Sequence, residues 1–142
     1  MFSKACEYGI KASIFIAQSS MNNKRVSLKE IAEEIDSPVA FTAKILQALA
    51  RNKVVTSIKG AHGGFEIYNP QDITLSAIVS AIDGDTIYSG CGLGLKQCDS
   101  NNPCPFHDKF KIVRDNLKSM LENTNLKELA LKLDDGISVL KT

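Results

Sequence analysis

The stretch from residue 27 to residue 68 begins with a pattern that predicts two short helices joined by a tight turn. Ser27, followed three residues later by Glu30, forms a capping-box pattern that starts a helix with apolar residues at helical spacing. Ser37 and Pro38 then interrupt this pattern. We expect Ser37 to cap a second helix that has Pro38 in its first position and continues to about residue 52. This is the helix-turn-helix arrangement, which many helical domains contain without binding DNA.

A β-hairpin is expected directly after the second helix. The β-branched run Val54–Ile58 predicts one strand, residues 59–64 a glycine-rich turn, and the run Phe65–Tyr68 a second strand. A glycine-rich loop that binds phosphate needs a helix N-terminus after it, whereas a strand follows here. The hairpin therefore favours the wing of a winged helix-turn-helix over a nucleotide-binding loop.

The remaining pattern predicts a mainly α protein with one long irregular segment. Helices are expected at residues 4–19, at 75–82 with Thr74 as cap, from 105 to about 120, and at 126–133. Residues 85–105 hold glycines, prolines and three cysteines, and a loop of this length in a compact protein is usually functional. We expect a winged helix-turn-helix in residues 1–70, and this loop with a long C-terminal dimerisation helix in residues 71–142.

Positive charge is concentrated in the predicted helix-turn-helix half. The whole chain carries a formal net charge of only +1, from 17 basic and 16 acidic residues. Residues 1–64 contain nine basic and five acidic residues, whereas residues 65–142 contain eight and eleven. The near-zero total therefore averages a basic half, which suits contact with phosphates, and an acidic half.

The second helix of the pair has two different faces at 100° per residue. The face expected to lie on the core consists of Thr42, Ile45, Leu46 and Leu49. Eight residues on the other face, after the helix and on the wing are candidates for contact with double-stranded DNA: Ala40, Phe41, Lys44, Gln47, Arg51, Lys53, Lys59 and His62. The first three would lie near base edges, where Phe41 suits a thymine methyl group and Lys44 suits guanine O6 and N7. Arg51 and Lys53 suit phosphates, and the two wing residues suit the neighbouring minor groove.

Three of the four cysteines lie in the irregular segment. Six residues separate Cys91 from Cys98, five separate Cys98 from Cys104, and His107 follows after two more. Structural zinc sites usually contain closely spaced cysteine pairs, and wide spacing suits a larger group such as an iron–sulfur cluster. Spacing alone leaves a cluster, a zinc site and a thiol–disulfide switch equally open. No motif supports Cys104 and His107 as an enzymatic nucleophile and base, so we do not expect an enzyme.

The helix after the cysteines carries an apolar stripe with heptad spacing. Its members recur at steps of four, three, four and three residues: Phe106, Phe110, Val113, Leu117 and Met120. Such a stripe lies either on the core of its own chain or on the same helix of a second copy. We favour a homodimer because the stripe follows a single heptad line, although Ile112 and Leu121 widen it.

No membrane-spanning pattern is visible in the chain. Its apolar runs fall far short of the roughly 20 residues needed to cross a bilayer. Charged side chains interrupt the first helix, at Lys4, Glu7 and Lys11, and therefore exclude a secretory signal. We expect a cytoplasmic protein, in which clustered cysteines bind metal or do redox chemistry more often than they form structural disulfides.

Together these motifs resemble the IscR/NsrR-type winged-helix transcription regulators of bacteria. The resemblance rests on the first helix with Tyr8, the helix-turn-helix, the wing motif Lys59-Gly60-Ala61-His62-Gly63-Gly64-Phe65, and the cysteine loop before a long helix. It implies a homodimer that binds palindromic promoter DNA and holds one 2Fe-2S or 4Fe-4S cluster per subunit. It also implies a repressor whose cluster senses iron–sulfur status, nitric oxide or redox state. The alternative is a regulator controlled by zinc or by a thiol–disulfide switch.

The resemblance points to two different residues as the fourth cluster ligand. Regulators of cluster assembly have a histidine at the position of His107. Nitric oxide sensors have a carboxylate, contributed by the other subunit, at the position of Glu7. Cys6 is a third candidate, and it equally suits a small core position. A branch of the family that regulates cysteine metabolism lacks the three cysteines, so the resemblance is to the cluster-binding members.

Overall fold

Six helices and one two-stranded antiparallel sheet make up the computed structural model, which describes all of residues 1–142. The elements in chain order are α1 (Lys4–Met21), α2 (Leu28–Glu34), α3 (Val39–Arg51), β1 (Thr56–Ile58), β2 (Gly64–Glu66), α4 (Leu75–Asp83), α5 (His107–Asn123) and α6 (Leu126–Asp134). Short 3₁₀ turns lie at Pro70–Asp72 and Thr86–Tyr88. The mainly helical fold with a two-stranded wing confirms the predicted winged helix-turn-helix.

Side-chain caps fix the starts of three helices where the sequence predicts them. The Ser27 hydroxyl accepts a hydrogen bond from the Glu30 amide at 3.1 Å, and the Glu30 carboxylate accepts one from the Ser27 amide at 3.2 Å. This reciprocal pair satisfies two backbone donors that the first turn of α2 leaves free. Thr74 and Asn125 cap α4 and α6, each accepting from the amide three residues on.

The predicted start of α3 is wrong by one residue. Pro38, with extended backbone angles, is the N-cap, and Val39 is the first helical residue. Ser37 does not cap the helix, because its hydroxyl is hydrogen-bonded to the Thr42 hydroxyl. Thr42 in turn donates to the Pro38 carbonyl at 2.7 Å, so the tight turn is closed by side chains rather than by a cap.

The wing strands are shorter than predicted, and α5 begins and ends later than predicted. The amide of Val54 donates to the Leu49 carbonyl at 2.9 Å and so still closes the end of α3, which delays the first strand to Thr56. The second strand ends at Glu66 rather than at residue 68. Residues 105 and 106 form a turn, and α5 begins at His107 rather than at residue 105.

A third short segment pairs with the wing. Within the hairpin, Ser57 lies opposite Phe65. On the other edge of β2, the amide of Val26 donates to the Phe65 carbonyl at 3.3 Å, and the Phe65 amide donates to the Val26 carbonyl at 2.8 Å. The connection between α1 and α2 therefore anchors the middle of the second wing strand.

The hydrophobic core is continuous across residue 70. Helix α1 packs against α3, α4 and α6. The core includes Ile16 of α1, Leu49 of α3, Ile78 of α4, Leu121 of α5 and Leu126 of α6, all essentially inaccessible to solvent. The predicted division into residues 1–70 and 71–142 stays a prediction. No helix is both long enough and apolar enough to cross a membrane.

The capping box of α2 supplies a testable contribution to stability. We expect a Ser27→Ala variant to lose about 1 kcal/mol of unfolding free energy, because the Glu30 amide loses its acceptor. Denaturant unfolding followed by circular dichroism measures this loss. Lys29→Ala is the matched control, since Lys29 lies exposed in the same turn. An equal loss in both variants would contradict the assignment.

Candidate metal centre and nucleic-acid interface

The three loop cysteines converge on one point. The sulfur atoms of Cys91, Cys98 and Cys104 all lie within 4.8 Å of one another. Cys104 is buried, and the other two are half-buried. All four cysteines of the chain are free thiols. The folded loop thus brings together thiols that are up to 13 positions apart in the sequence.

A turn capped by Asp99 brings Cys98 and Cys104 together. The Asp99 carboxylate accepts hydrogen bonds from the amides of Asn102 at 2.9 Å and Asn101 at 2.8 Å. These two bonds lower the pKa of the Asp99 carboxyl group. The Cys104 amide then donates to the Cys98 sulfur at 3.4 Å. Aspartate often closes such turns because its side chain bonds to the backbone two or three residues ahead.

His107 lies beside the three cysteines, with a ring nitrogen next to the Cys98 sulfur. It is the first residue of α5 and is only 7% exposed. Its Nδ1 lies 3.3 Å from the Cys98 sulfur, and its amide donates to the Cys104 carbonyl at 3.0 Å. Thiols and imidazoles are common protein ligands of thiophilic metals and of iron–sulfur clusters.

The thiols of Cys91 and Cys98 differ in how readily they ionise. Hydrogen bonds from the backbone amides of Leu93 and Leu95 lower the pKa of the Cys91 thiol to about 7. The Cys104 amide acts to lower the pKa of Cys98. Desolvation and the two neighbouring thiols outweigh that bond, so the pKa of Cys98 is raised. Metal binding requires thiolates, so protons must be released as the site fills.

The other two candidate ligands lie elsewhere in the chain. Glu7 is half-buried on α1, and its carboxylate is 3.8 Å from the Lys4 ammonium group. Cys6 is completely buried in the core. Burial, followed by the negative charge of Asp83, raises the pKa of the Cys6 thiol to about 12. Within one chain, His107 is therefore the candidate fourth ligand that adjoins the three cysteines.

Contacts that the sequence pattern does not reveal fasten the cysteine loop to α5. The Arg114 guanidinium donates to the Gly90 carbonyl at 2.6 Å and lies 5.7 Å from the Phe110 ring centroid. A Cβ on Gly92 would lie 2.6 Å from the Phe106 ring, so only glycine permits this close approach. Arg114 falls outside the apolar stripe, and no motif singles it out.

Helix α3 presents the predicted candidate DNA-contacting face to solvent. Its core side is buried as predicted, at Thr42, Ile45, Leu46 and Leu49. Ala40, Lys44, Gln47 and Arg51 are all exposed on the other side. Lys53, Lys59 and His62 are exposed as well, after α3 and at the wing turn. Their roles in binding DNA stay predictions.

Phe41 differs from the other seven candidates because its side chain is not fully exposed. Its ring is half-buried and meets the Tyr8 ring edge-on, with centroids 5.7 Å apart. The ammonium groups of Lys4 and Lys11 lie 5.1 Å and 5.6 Å from the Tyr8 ring centroid. Phe41 therefore links the start of α3 to α1, and only part of its ring is free for a base.

The apolar stripe of α5 divides between two surroundings. Phe110 and Leu117 are half-buried within the chain. Ile112, Val113 and Met120 are 62%, 54% and 49% exposed. Phe106, which is 36% exposed, is intermediate in exposure between these two groups. A strip of large apolar side chains thus faces solvent along α5, and such exposure is typical of a surface that another chain covers.

Comparisons with known proteins agree with this fold. A family model described as "Rrf2: Iron-dependent Transcriptional regulator" matches residues 2–132. The transcriptional regulator IscR of Pectobacterium atrosepticum is 25% identical over 123 residues, which cover 86% of this chain and 74% of that protein.

Two solved structures show the same architecture. The structure of CymR, the global cysteine regulator of B. subtilis, has a TM-score of 0.76 at 23% identity, covering 92% of this chain and 95% of that one. The structure of T. potens IscR has a TM-score of 0.75 at 21% identity, covering 98% and 92%. At these identities the two structures establish the fold.

Proposed function

Because the chain belongs to the Rrf2 family of transcriptional regulators, we propose that it is a cytoplasmic homodimeric repressor controlled by an iron–sulfur cluster. Cys91, Cys98, Cys104 and His107 would hold one 2Fe-2S or 4Fe-4S cluster per subunit. The dimer would bind a palindromic operator in double-stranded promoter DNA. The state of the cluster, set by cluster supply, nitric oxide or redox conditions, would determine operator affinity.

The chemistry of the donor set carries this proposal. Three sulfurs within 4.8 Å of one another, with an imidazole nitrogen 3.3 Å from one of them, form a donor set suited to iron. When bound, an iron–sulfur cluster supplies iron that exchanges electrons and reacts with small oxidants. Cys104 and His107 are nearly buried, so the protein shields one side of the site.

Contacts between the loop and α5 support a route from the site to the DNA. Arg114 holds the carbonyl just before Cys91, and Phe106 packs on Gly92. A change in loop conformation would therefore move the exposed apolar strip of α5, through which we expect the subunits to pair. Half-sites lie about one helical turn of DNA apart, so a small change in the spacing of the two α3 helices alters affinity.

A zinc- or thiol-controlled regulator is the second candidate, and the sulfur spacing favours it. Zn–S bonds of about 2.3 Å in a tetrahedron place sulfurs about 3.8 Å apart, within the limit seen here. After a modest rearrangement, the same proximity would let a peroxide oxidise two of the free thiols to a disulfide, with the thiol protons and the peroxide oxygens leaving as water. This regulator would use the same DNA-binding face with a different trigger.

One spectroscopic experiment separates the two candidates. The full chain is purified without oxygen, its visible spectrum is recorded, and iron, sulfide and zinc are counted. We expect iron and sulfide with visible absorbance that changes on exposure to nitric oxide or oxygen. A colourless protein with stoichiometric zinc would support the second candidate.

Substitution of His107 tests the fourth ligand. We expect His107→Ala to retain less iron and to shift the visible spectrum, because one of four adjoining ligands is lost. Glu7→Gln is the control and should leave both unchanged, since the Glu7 carboxylate pairs with Lys4. The opposite pattern would assign the ligand to Glu7 of a partner subunit.

A further inference from the structure

Arg25 connects the α1–α2 segment to the wing through two side-chain hydrogen bonds. Its Nε donates to the Glu66 carboxylate on β2 at 3.0 Å. One terminal nitrogen donates to the carbonyl of His62, in the wing turn, at 3.2 Å. A single guanidinium therefore holds both a strand of the wing and its tip.

The acceptor on β2 is largely shielded from water. The Glu66 side chain is 13% exposed, whereas that of Arg25 is 42% exposed. The nearby Tyr68 hydroxyl, followed by the Arg25 guanidinium, lowers the pKa of the Glu66 carboxyl group. Glu66 is therefore a carboxylate at neutral pH, and the ion pair is present under physiological conditions.

The wing has little else to hold its tip in place. Each of its strands has three residues, and such a short hairpin is marginal without outside support. The backbone bonds between Val26 and Phe65 anchor the middle of its second strand. The bond from Arg25 to the His62 carbonyl supplies the anchor nearer the turn that carries Lys59 and His62. The energetic effect is therefore local, because a partly exposed ion pair adds little to global stability.

We propose that Arg25 is a positioning residue for DNA binding, which sets the wing tip at a fixed distance from the duplex. This inference rests on the proposed function, in which the wing contacts DNA. Arg25 acts through the His62 carbonyl and Glu66, and Lys59 and His62 make the contact. Loss of the two bonds leaves the wing charges in place but lets the tip move.

Direct contact of Arg25 with phosphate is the competing role, and the surrounding charges disfavour it. Arg25 lines an open groove beside the wing together with Lys24 and His62. Glu30 and Glu66 line the same groove, so its acidic groups balance Lys24 and Arg25. Two of the Arg25 donors are already engaged within the protein.

Charge-preserving variants distinguish the two roles. The probe is a duplex that full-length wild-type protein selects from a random-sequence library, and the readout is its affinity at several salt concentrations. Lysine keeps the charge but cannot reach both acceptors in a fork. We expect Arg25→Lys and Glu66→Gln each to bind about tenfold more weakly, with an unchanged thermal midpoint. Lys24→Ala, which removes a neighbouring exposed charge, should stay within about twofold of wild type.

A phosphate contact predicts different results. Arg25→Lys would keep wild-type affinity, and Glu66→Gln would bind more tightly because it frees the guanidinium. Either result overturns the positioning role. If the salt dependence of DNA binding showed that the Arg25→Ala variant releases about one ion fewer than wild type, this result would also overturn the positioning role.

A double-mutant cycle completes the test. In a background with Lys59→Ala and His62→Ala, the Arg25→Lys change should have almost no further effect, because the wing contacts are already absent. Additive losses would contradict action through the wing. Wild-type protein that shows no salt-dependent affinity for any duplex would instead overturn the proposed function.

Discussion

A Cys98→Ala variant purified without oxygen is expected to be colourless and to retain almost no iron or sulfide. Cys98 is the centre of the ligand group, since its sulfur lies 3.3 Å from the His107 ring and accepts the Cys104 amide. Its removal leaves two thiols and one imidazole, which are too few to hold a cluster firmly. Metal and sulfide analysis with a visible spectrum measures the loss.

Cys6→Ala is the matched control for this experiment. Cys6 is completely buried in the core and is not one of the three converging cysteines, and burial raises the pKa of its thiol to about 12. The Cys6→Ala variant should remain coloured and keep its iron content. A coloured Cys98→Ala variant, or a colourless Cys6→Ala variant that is still folded, would contradict the proposed ligand set.

A Val113→Glu variant is expected to be monomeric and to bind the selected duplex about a hundredfold more weakly. Val113 lies in the exposed apolar strip of α5, so the change does not disturb the core of the single chain. In a dimer pairing along that strip, the new carboxylate would be buried without a partner, which costs several kcal/mol. Analytical ultracentrifugation measures the assembly state, and gel-shift titration measures the affinity.

Lys111→Glu introduces the same charge on another side of α5. Lys111 is exposed and paired with Asp115 at 2.7 Å, away from the apolar strip. We expect this variant to remain dimeric. If Val113→Glu stayed dimeric while Lys111→Glu dissociated, the interface would have to lie on the charged side of α5.

Local sequence patterns were enough to predict the helices and the wing. Three of these features each depend only on residues that are close together in the sequence: the capping box at Ser27, the cap at Thr74 and the buried face of α3. The structure contains each of them. Boundaries were less predictable where two local preferences compete. Ser37 is a good cap by residue type, but its hydroxyl bonds to Thr42, and this shifts the start of α3.

The candidate site was predictable in its members but not in its geometry. Spacing identified Cys91, Cys98 and Cys104, and the resemblance raised His107 and Glu7 as alternative fourth ligands. Only the folded loop brings the His107 ring to 3.3 Å from Cys98, because the Asp99 turn and the start of α5 place them together.

Long-range contacts were invisible in the pattern. The Arg25–Glu66 pair joins residues 41 positions apart, and the Arg114–Gly90 bond joins residues 24 apart. Neither arginine occupies a motif or a periodic position. A surface arginine gives no signal in a single sequence of which carbonyl or carboxylate it will meet.

The continuous core would make the proposed metal binding and DNA binding parts of one thermodynamic cycle. Helices α4, α5 and α6 share their buried side chains with α1 and α3, so the chain should unfold in a single transition. Any ligand that binds the native state then raises the melting temperature of the whole molecule by mass action. Binding of a metal or cluster to the cysteine loop can therefore be measured as a rise in the melting temperature of the winged helix. This measurement needs neither a chromophore nor knowledge of the operator.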